Sequence, residues 1–196
     1  MKFTQIPVNT FKEIVLNAGI LASNFNPSTG TVEADDILGA TSGGISFTAK
    51  PAFIDMGDGI DNCPPNMKEL KKLKSWDEVN MSGTYLTVNT ARAKSLLAAA
   101  DIDSSDTTKV KPRNDLTPAD FEGIWLIADY SDKNGATNGG FLAIHMMNAL
   151  STGGFQIQSG DKAKGQFAFE YTAHYSMDAA DTVPFEIYIK AGTEEA

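Results

Sequence analysis

The 196-residue chain is poor in the residues on which most protein chemistry depends. It has one cysteine, Cys63, which excludes an internal disulfide framework. It has two histidines, His145 and His174, too few to complete a zinc cluster with that cysteine. No run approaches the roughly 18 consecutive apolar residues of a membrane-spanning helix. The N-terminal MKFTQIPVNTFKE lacks an unbroken apolar stretch followed by a small-residue cleavage site. Synthesis and retention in a cytoplasm is therefore the expectation. Basic charge is also scarce: 16 Lys and Arg against 25 Asp and Glu give a net charge of −9, the wrong sign for wrapping nucleic acid.

What is present is ordinary globular material, 42% hydrophobic and 21% charged, enough to bury one core. The clearest pattern is Gly165–Met177, GQFAFEYTAHYSM. Phe167, Phe169, Tyr171, Ala173 and Tyr175 alternate with Ala168 and with the polar Gln166, Glu170, Thr172, His174 and Ser176. That period of two predicts a half-buried strand that other strands must cover.

The remaining chain supplies the partners. An arm over Met1–Lys12 carries Phe3, Ile6, Val8 and Phe11, and Glu13–Leu21 reads as the first strand. SNFNPSTG at Ser23–Gly30 is a turn cluster. In Gly44–Asp55, Ile45, Phe47, Ala49, Pro51 and Phe53 share one face, and Pro51 predicts an edge strand or a bulge. Asp55–Ser75 then breaks every period, apart from two turns of potential helix at Met67–Lys74, and reads as a long irregular loop. Trp76–Val88 returns to strand. Asn89 or Thr90 is placed to cap a helix over Ala91–Ala100, with Ala93, Leu96, Leu97 and Ala100 on its apolar stripe.

Asp101–Ala119 reads as polar connection. Phe121–Tyr130 reads as a strand covered on both faces, joined through Asn134-Gly135 and Asn138-Gly139 to an antiparallel return at Phe141–Leu150. Phe155–Gln158 and Pro184–Lys190 read as further strands, and AGTEEA as a short acidic tail. The sum is a mainly β chain, a two-sheet sandwich or squashed barrel with one flanking helix. Residues 13–190 form the single domain, between an arm at 1–12 and a tail at 191–196.

Candidate chemistry is thin. Asp55, Asp58 and Asp61 recur every third residue, but the ligand order of a calcium-binding EF-hand is missing, and a solvated turn accounts for them. No G-x-S-x-G accompanies His145 or His174, and GDKAKGQ at Gly160–Gln166 lacks the ending of a phosphate-binding loop. Cys63 precedes two prolines and a run of lysines, which does not by itself make a reactive thiol. Neither a catalytic group nor a cofactor or metal site is expected. The switch from Asp55, Asp58 and Asp61, through Pro64 and Pro65, to Lys68, Lys71 and Lys72 suits a head-to-tail contact with another copy.

Six stretches, taken in order, resemble the major tail protein, or tail tube protein, of long non-contractile-tailed bacteriophages and prophages of Gram-positive bacteria. They are GGISFTAKPAFIDMGDGIDNCPPNMKELKKLKSWD, MSGTYLTVNTARAKSLLAAADID, KVKPRNDL, DYSDKNGATNGGFLAIHMMNALSTGGFQIQ, AKGQFAFEYTAHYSM and DTVPFEIYIKAG. The resemblance implies a structural virion subunit that assembles into hexameric rings, stacked as a tube through which double-stranded DNA passes without specific binding during ejection. It implies that the long loop and terminal arms reach adjacent rings, and that Gln166, Glu170, Thr172 and His174 face the lumen or a subunit seam. Its implied partners are further copies of itself, the tape-measure protein, the tail terminator and the distal tail protein, with no membrane. Its implied place is the virion tail. The alternatives are a monomeric β-sandwich module binding a ligand such as carbohydrate, and the tube protein of a contractile injection device.

Overall fold

The computed structural model describes residues 6–132 and 139–193. A short 3₁₀ turn at Thr10–Lys12 leads into β1 (Val15–Ala22), followed by β2 (Thr41–Asp55) and β3 (Lys71–Tyr85). Helix α1 (Thr90–Leu96) precedes the short strands β4 (Ala100–Ile102) and β5 (Val110–Pro112). Four further strands complete the chain: β6 (Glu122–Tyr130), β7 (Gly140–Ser151), β8 (Phe167–Ala173) and β9 (Phe185–Lys190). The fold is mainly β, with one α-helix. Seven strands form one sheet in the order β1-β6-β7-β8-β3-β2, with β9 also pairing β7. This sheet curls into a half-barrel, and β4 and β5 make a small second sheet.

The aromatic row of β8 enters the core as its alternation requires: Tyr171 is fully buried and Phe169 nearly so. Across the pairing, Met81 stands opposite Tyr171, and Gly83 opposite Phe169. A Cβ on Gly83 would lie 2.7 Å from the Phe169 ring, so the glycine makes room for it. The main core also takes Leu21, Val79, Tyr85, Leu96, Ile124, Leu126, Ile144 and Met146. A smaller cluster of Ala22, Phe25, Trp125, Phe141 and Ala143 covers the other face of β6 and β7. The expectation of a strand buried on both faces is met by Ile124, Trp125 and Leu126.

Helix α1 is capped by the Asn89 side chain, which accepts from the Arg92 N–H at 2.8 Å. It ends earlier than expected because Ala98 takes a left-handed φ of 59°, and Ala100 already belongs to β4. The segment read as polar connection thus contains the β4–β5 hairpin. The Phe155–Gln158 strand is not formed; only an isolated bridge joins Gln158 to Gln166. Leu150 and Ser151 of β7 pair instead with Thr172 and Tyr171 of β8.

The largest correction concerns Asp55–Ser75. β2 continues to Asp55 and β3 starts at Lys71, so the irregular part shrinks to residues 56–70 and the potential helix at Met67–Lys74 does not form. Two offsets in the pairing hid this strand. Lys50 pairs Glu78 but Pro51 pairs Trp76, and Ala52 pairs Ser75 but Phe53 pairs Leu73. Asp77 and Lys74 are the extra residues, and each resets the alternation so that Trp76 and Leu73 stay on the core side. Pro51 thus lies both on an edge strand and beside a bulge, as its missing N–H requires. The Asn134-Gly135 turn lies outside the described residues, but β7 returns antiparallel to β6 with Tyr130 opposite Gly140.

Candidate functional site

The β2–β3 hairpin is the most distinctive surface. Trp76 is the last of its β3 side chains held by ring contacts with the body, 5.1 Å from Phe185, and its N–H donates to the Tyr175 hydroxyl at 3.0 Å. Beyond that point Pro51–Asp55 carries the hairpin on for about 16 Å, at about 3.3 Å per strand residue. Phe53, Ile54, Met56, Ile60, Met67 and Leu73 are all exposed on it. Phe53 and Leu73 continue the core-facing row into solvent, Ile54 stands on the opposite face and the rest lie in the tip. So many exposed apolar side chains together mark a contact surface.

The tip is built around Asp55. Its carboxylate accepts from the N–H groups of Gly57 and Asn66, each at 3.0 Å, while Met56 N–H closes on Leu70 C=O at 2.9 Å. Lys71 donates to the Asn66 side chain at 3.1 Å and lies 5.5 Å from the Phe53 ring centre. A Cβ on Gly57 would lie 2.8 Å from the Cys63 sulfur, so Cys63 packs the inside of the tip. The thiol also stands 3.7 Å from the Met67 sulfur. Asp55 is therefore a fold-organising acceptor, whereas Asp58, Asp61, Pro64, Pro65, Lys68 and Lys72 are exposed. Lys68 pairs with its neighbour Glu69, at 3.4 Å on the surface. Among the described residues no group of three metal-binding side chains forms.

The outer face of β8 is brought together in part. Thr172 donates to Asn80 on β3 at 2.9 Å and meets Thr152 at 3.0 Å. Glu170 stands beside Ser82, and Ser82 beside Ser46 on β2, so three strands share a face of small polar side chains. Glu170 and Gln166 are exposed. His174 is separated from this row: its Nδ1 lies 3.3 Å from the Asn148 carbonyl, and its ring meets Phe121 edge-on at 5.4 Å. His145 is stacked on Trp125 at 4.1 Å, where burial lowers its pKa and Glu186 partly opposes the shift.

The sequence reading missed a buried polar anchor under α1. Arg92 Nη1 lies 3.3 Å from Glu122 and 3.4 Å from the Tyr171 hydroxyl, and the Ser95 hydroxyl meets Tyr171 at 2.9 Å and also donates to Glu122. Burial alone would lower the Arg92 pKa, but Tyr171 and Glu122 outweigh it and raise it. Burial pushes the nearby Tyr85 hydroxyl far up. The signal was an arginine within a helix whose other residues, Lys94 apart, are small or apolar, with a glutamate opening the most apolar strand. A second cluster fixes the β4–β5 hairpin, where Arg113 binds Asp120 at 2.5 Å and Asp101 at 2.8 Å.

Among the described residues no helix is long and apolar enough to cross a membrane. Searches of family models and of curated proteins return no match to the chain.

Proposed function

We propose that the chain is a structural subunit of a phage tail tube, self-assembling into stacked, ring-shaped layers that conduct double-stranded DNA, with no catalytic step. One observation carries the reading. The β2–β3 hairpin leaves the body with exposed apolar side chains on both faces and at a tip that Asp55 hydrogen bonds hold together. A projecting, apolar, ordered hairpin fits a head-to-tail contact with another copy, and contacts that do not close by symmetry generate a filament. Lys68, Lys71 and Lys72 near the tip would meet a subunit whose net charge is −9. The tape-measure, terminator and distal tail proteins are the partners this role requires. Production in a host cytoplasm and residence in the virion tail are the corresponding places.

The test exchanges the tip. Met56 and Leu70 already face each other through a backbone hydrogen bond, so replacing Gly57–Glu69 with Asn-Gly closes a two-residue turn there. The shortened protein should keep its circular dichroism and unfold cooperatively, yet fail to form tubes where the parent does. Assembly equal to that of the parent would remove the hairpin from the interface. Loss of the folded signal would make the tip part of the core.

A further inference from the structure

The β9 strand leaves an edge that the fold does not protect. Among the described residues it pairs with β7 alone, through six matched positions and without a register shift. The two strands that end this sheet, β1 and β2, are blunted. β1 is interrupted between Leu16 and Ile20, where Asn17 and Gly19 take positive φ. β2 has three register shifts and a proline. Bulges, proline and charged side chains are the usual devices against strand addition; of these β9 has only the charges of Glu186 and Lys190, one of each sign. Its Ile187 and Ile189 share the core-facing side with the packed Phe185, yet remain 50% and 59% exposed.

The sequence of the strand says what fits beside it. Glu186-Ile187-Tyr188-Ile189-Lys190 has a charge-complementary symmetry. Laid antiparallel against a second copy and centred on Tyr188, Glu186 faces the partner's Lys190, Ile187 faces the partner's Ile189, and Tyr188 meets itself. Opposite residues in an antiparallel pair share a face. The two ion pairs therefore flank the tyrosines on one side, and four isoleucines close over each other on the other. Among the described residues neither of the other two edge strands of this sheet offers the match: β1 carries no charge, and Lys50 and Asp55 of β2 lie on opposite faces, with Lys50 already paired to Glu78.

We propose that β9 is a self-pairing edge, and that two copies of the unassembled subunit join through it in a two-fold antiparallel seam about Tyr188. The seam is far smaller than the roughly 1,000 Å² of a stable complex, so the dimer is weak and depends on concentration. It shields this edge of the free subunit. It is independent of the tube proposal, since it uses neither the hairpin nor a head-to-tail contact.

Charge exchange tests the register. Glu186→Lys alone, or Lys190→Glu alone, places two like-charge pairs across the axis, and each should raise the dimer Kd by roughly tenfold in sedimentation equilibrium. An equimolar mixture of the two variants restores both ion pairs and should dimerise like the parent. A cross-link gives a second measurement that does not depend on the charges. With Cys63→Ser as background, Tyr188→Cys should oxidise to a covalent dimer, because facing Cβ atoms in such a seam lie about 4.5–5.5 Å apart, near disulfide range. Glu186→Cys in the same background should not cross-link to itself. Single variants that associate like the parent, a mixture that stays monomeric, or equal cross-linking at 186 and 188 would each overturn the proposal. Tube formation is scored separately by microscopy, so failure of one reading leaves the other standing.

Discussion

Removing the Glu122 carboxylate should loosen the joint between helix and sheet more than any surface change. The Arg92 side chain is only 9% exposed and Glu122 33%, with 3.3 Å between Nη1 and the carboxylate. Arg92 Nε has no hydrogen-bond partner among the described residues, so the Nη1 contacts matter the more. Losing one partner of a fully buried ion pair costs about 3–5 kcal/mol, because the remaining charge stays covered and uncompensated. Water reaches a third of Glu122, which brings the expectation for Glu122→Ala down to about 2–3 kcal/mol. Glu122→Gln keeps an acceptor for Ser95 and Arg92 and should lose about 1 kcal/mol. The pair Arg92→Met with Glu122→Gln removes the buried charge altogether and should recover to within about 1 kcal/mol of the parent. Urea unfolding followed by tryptophan fluorescence measures all three from the midpoint at constant slope. A Glu122→Ala change under about 0.5 kcal/mol, or a double variant as unstable as Glu122→Ala, would refute the assignment of this network as the anchor of α1.

Two further outcomes are expected. Leu96→Ala removes a fully buried side chain beneath α1 and should cost about 2–5 kcal/mol in the same assay. The second concerns pH. The folded-state pKa of His145 lies below its ordinary 6.5 because of burial against Trp125, so the folded chain resists protonation there. Above that value both states are neutral and the site adds no pH dependence. As pH falls through it, the unfolded chain takes up the proton first and stability declines until the folded pKa is passed. The melting temperature of the parent should therefore drop more between pH 7.5 and pH 5.5 than that of His145→Gln, and equal drops would remove His145 from the account. Asp103, Asp106 and Asp120 are held below their ordinary 3.8 by hydrogen bonds from Lys111, Thr108 and Arg113 respectively. Their contribution is present above that value and is lost only at more acidic pH.

The sequence was legible wherever one face of a strand is buried and its period is unbroken. Phe169 and Tyr171 on β8 and Ile124 to Leu126 on β6 lie in the core their spacing predicted. Where an extra residue resets the alternation the pattern fails, and Asp77 and Lys74 made the base of the long hairpin look like loop. Very short strands were equally opaque. In β4 and β5 Ala100 and Ile102 face Pro112 and Val110, but three residues per strand are too few for a period to register, and Arg113 with its carboxylates adds to their hold. At the candidate surface, the stretch from Asp55 to Lys72 was found by its irregularity. The structural duty of Asp55 needs the position of Asn66, which only the folded tip supplies. Of the four residues expected on the outer face of β8, Glu170 and Thr172 share the polar three-strand face, Gln166 stands at its end, and His174 turns to Asn148 and Phe121.

The most direct test of the central claim is negative-stain electron microscopy of the purified full-length chain, concentrated without nucleic acid and paired with light scattering. The tube-subunit account predicts rings or tubes of uniform width, with scattering that rises as they lengthen. A field containing only monomers and dimers at every concentration, even when seeded with preformed tails, would contradict it.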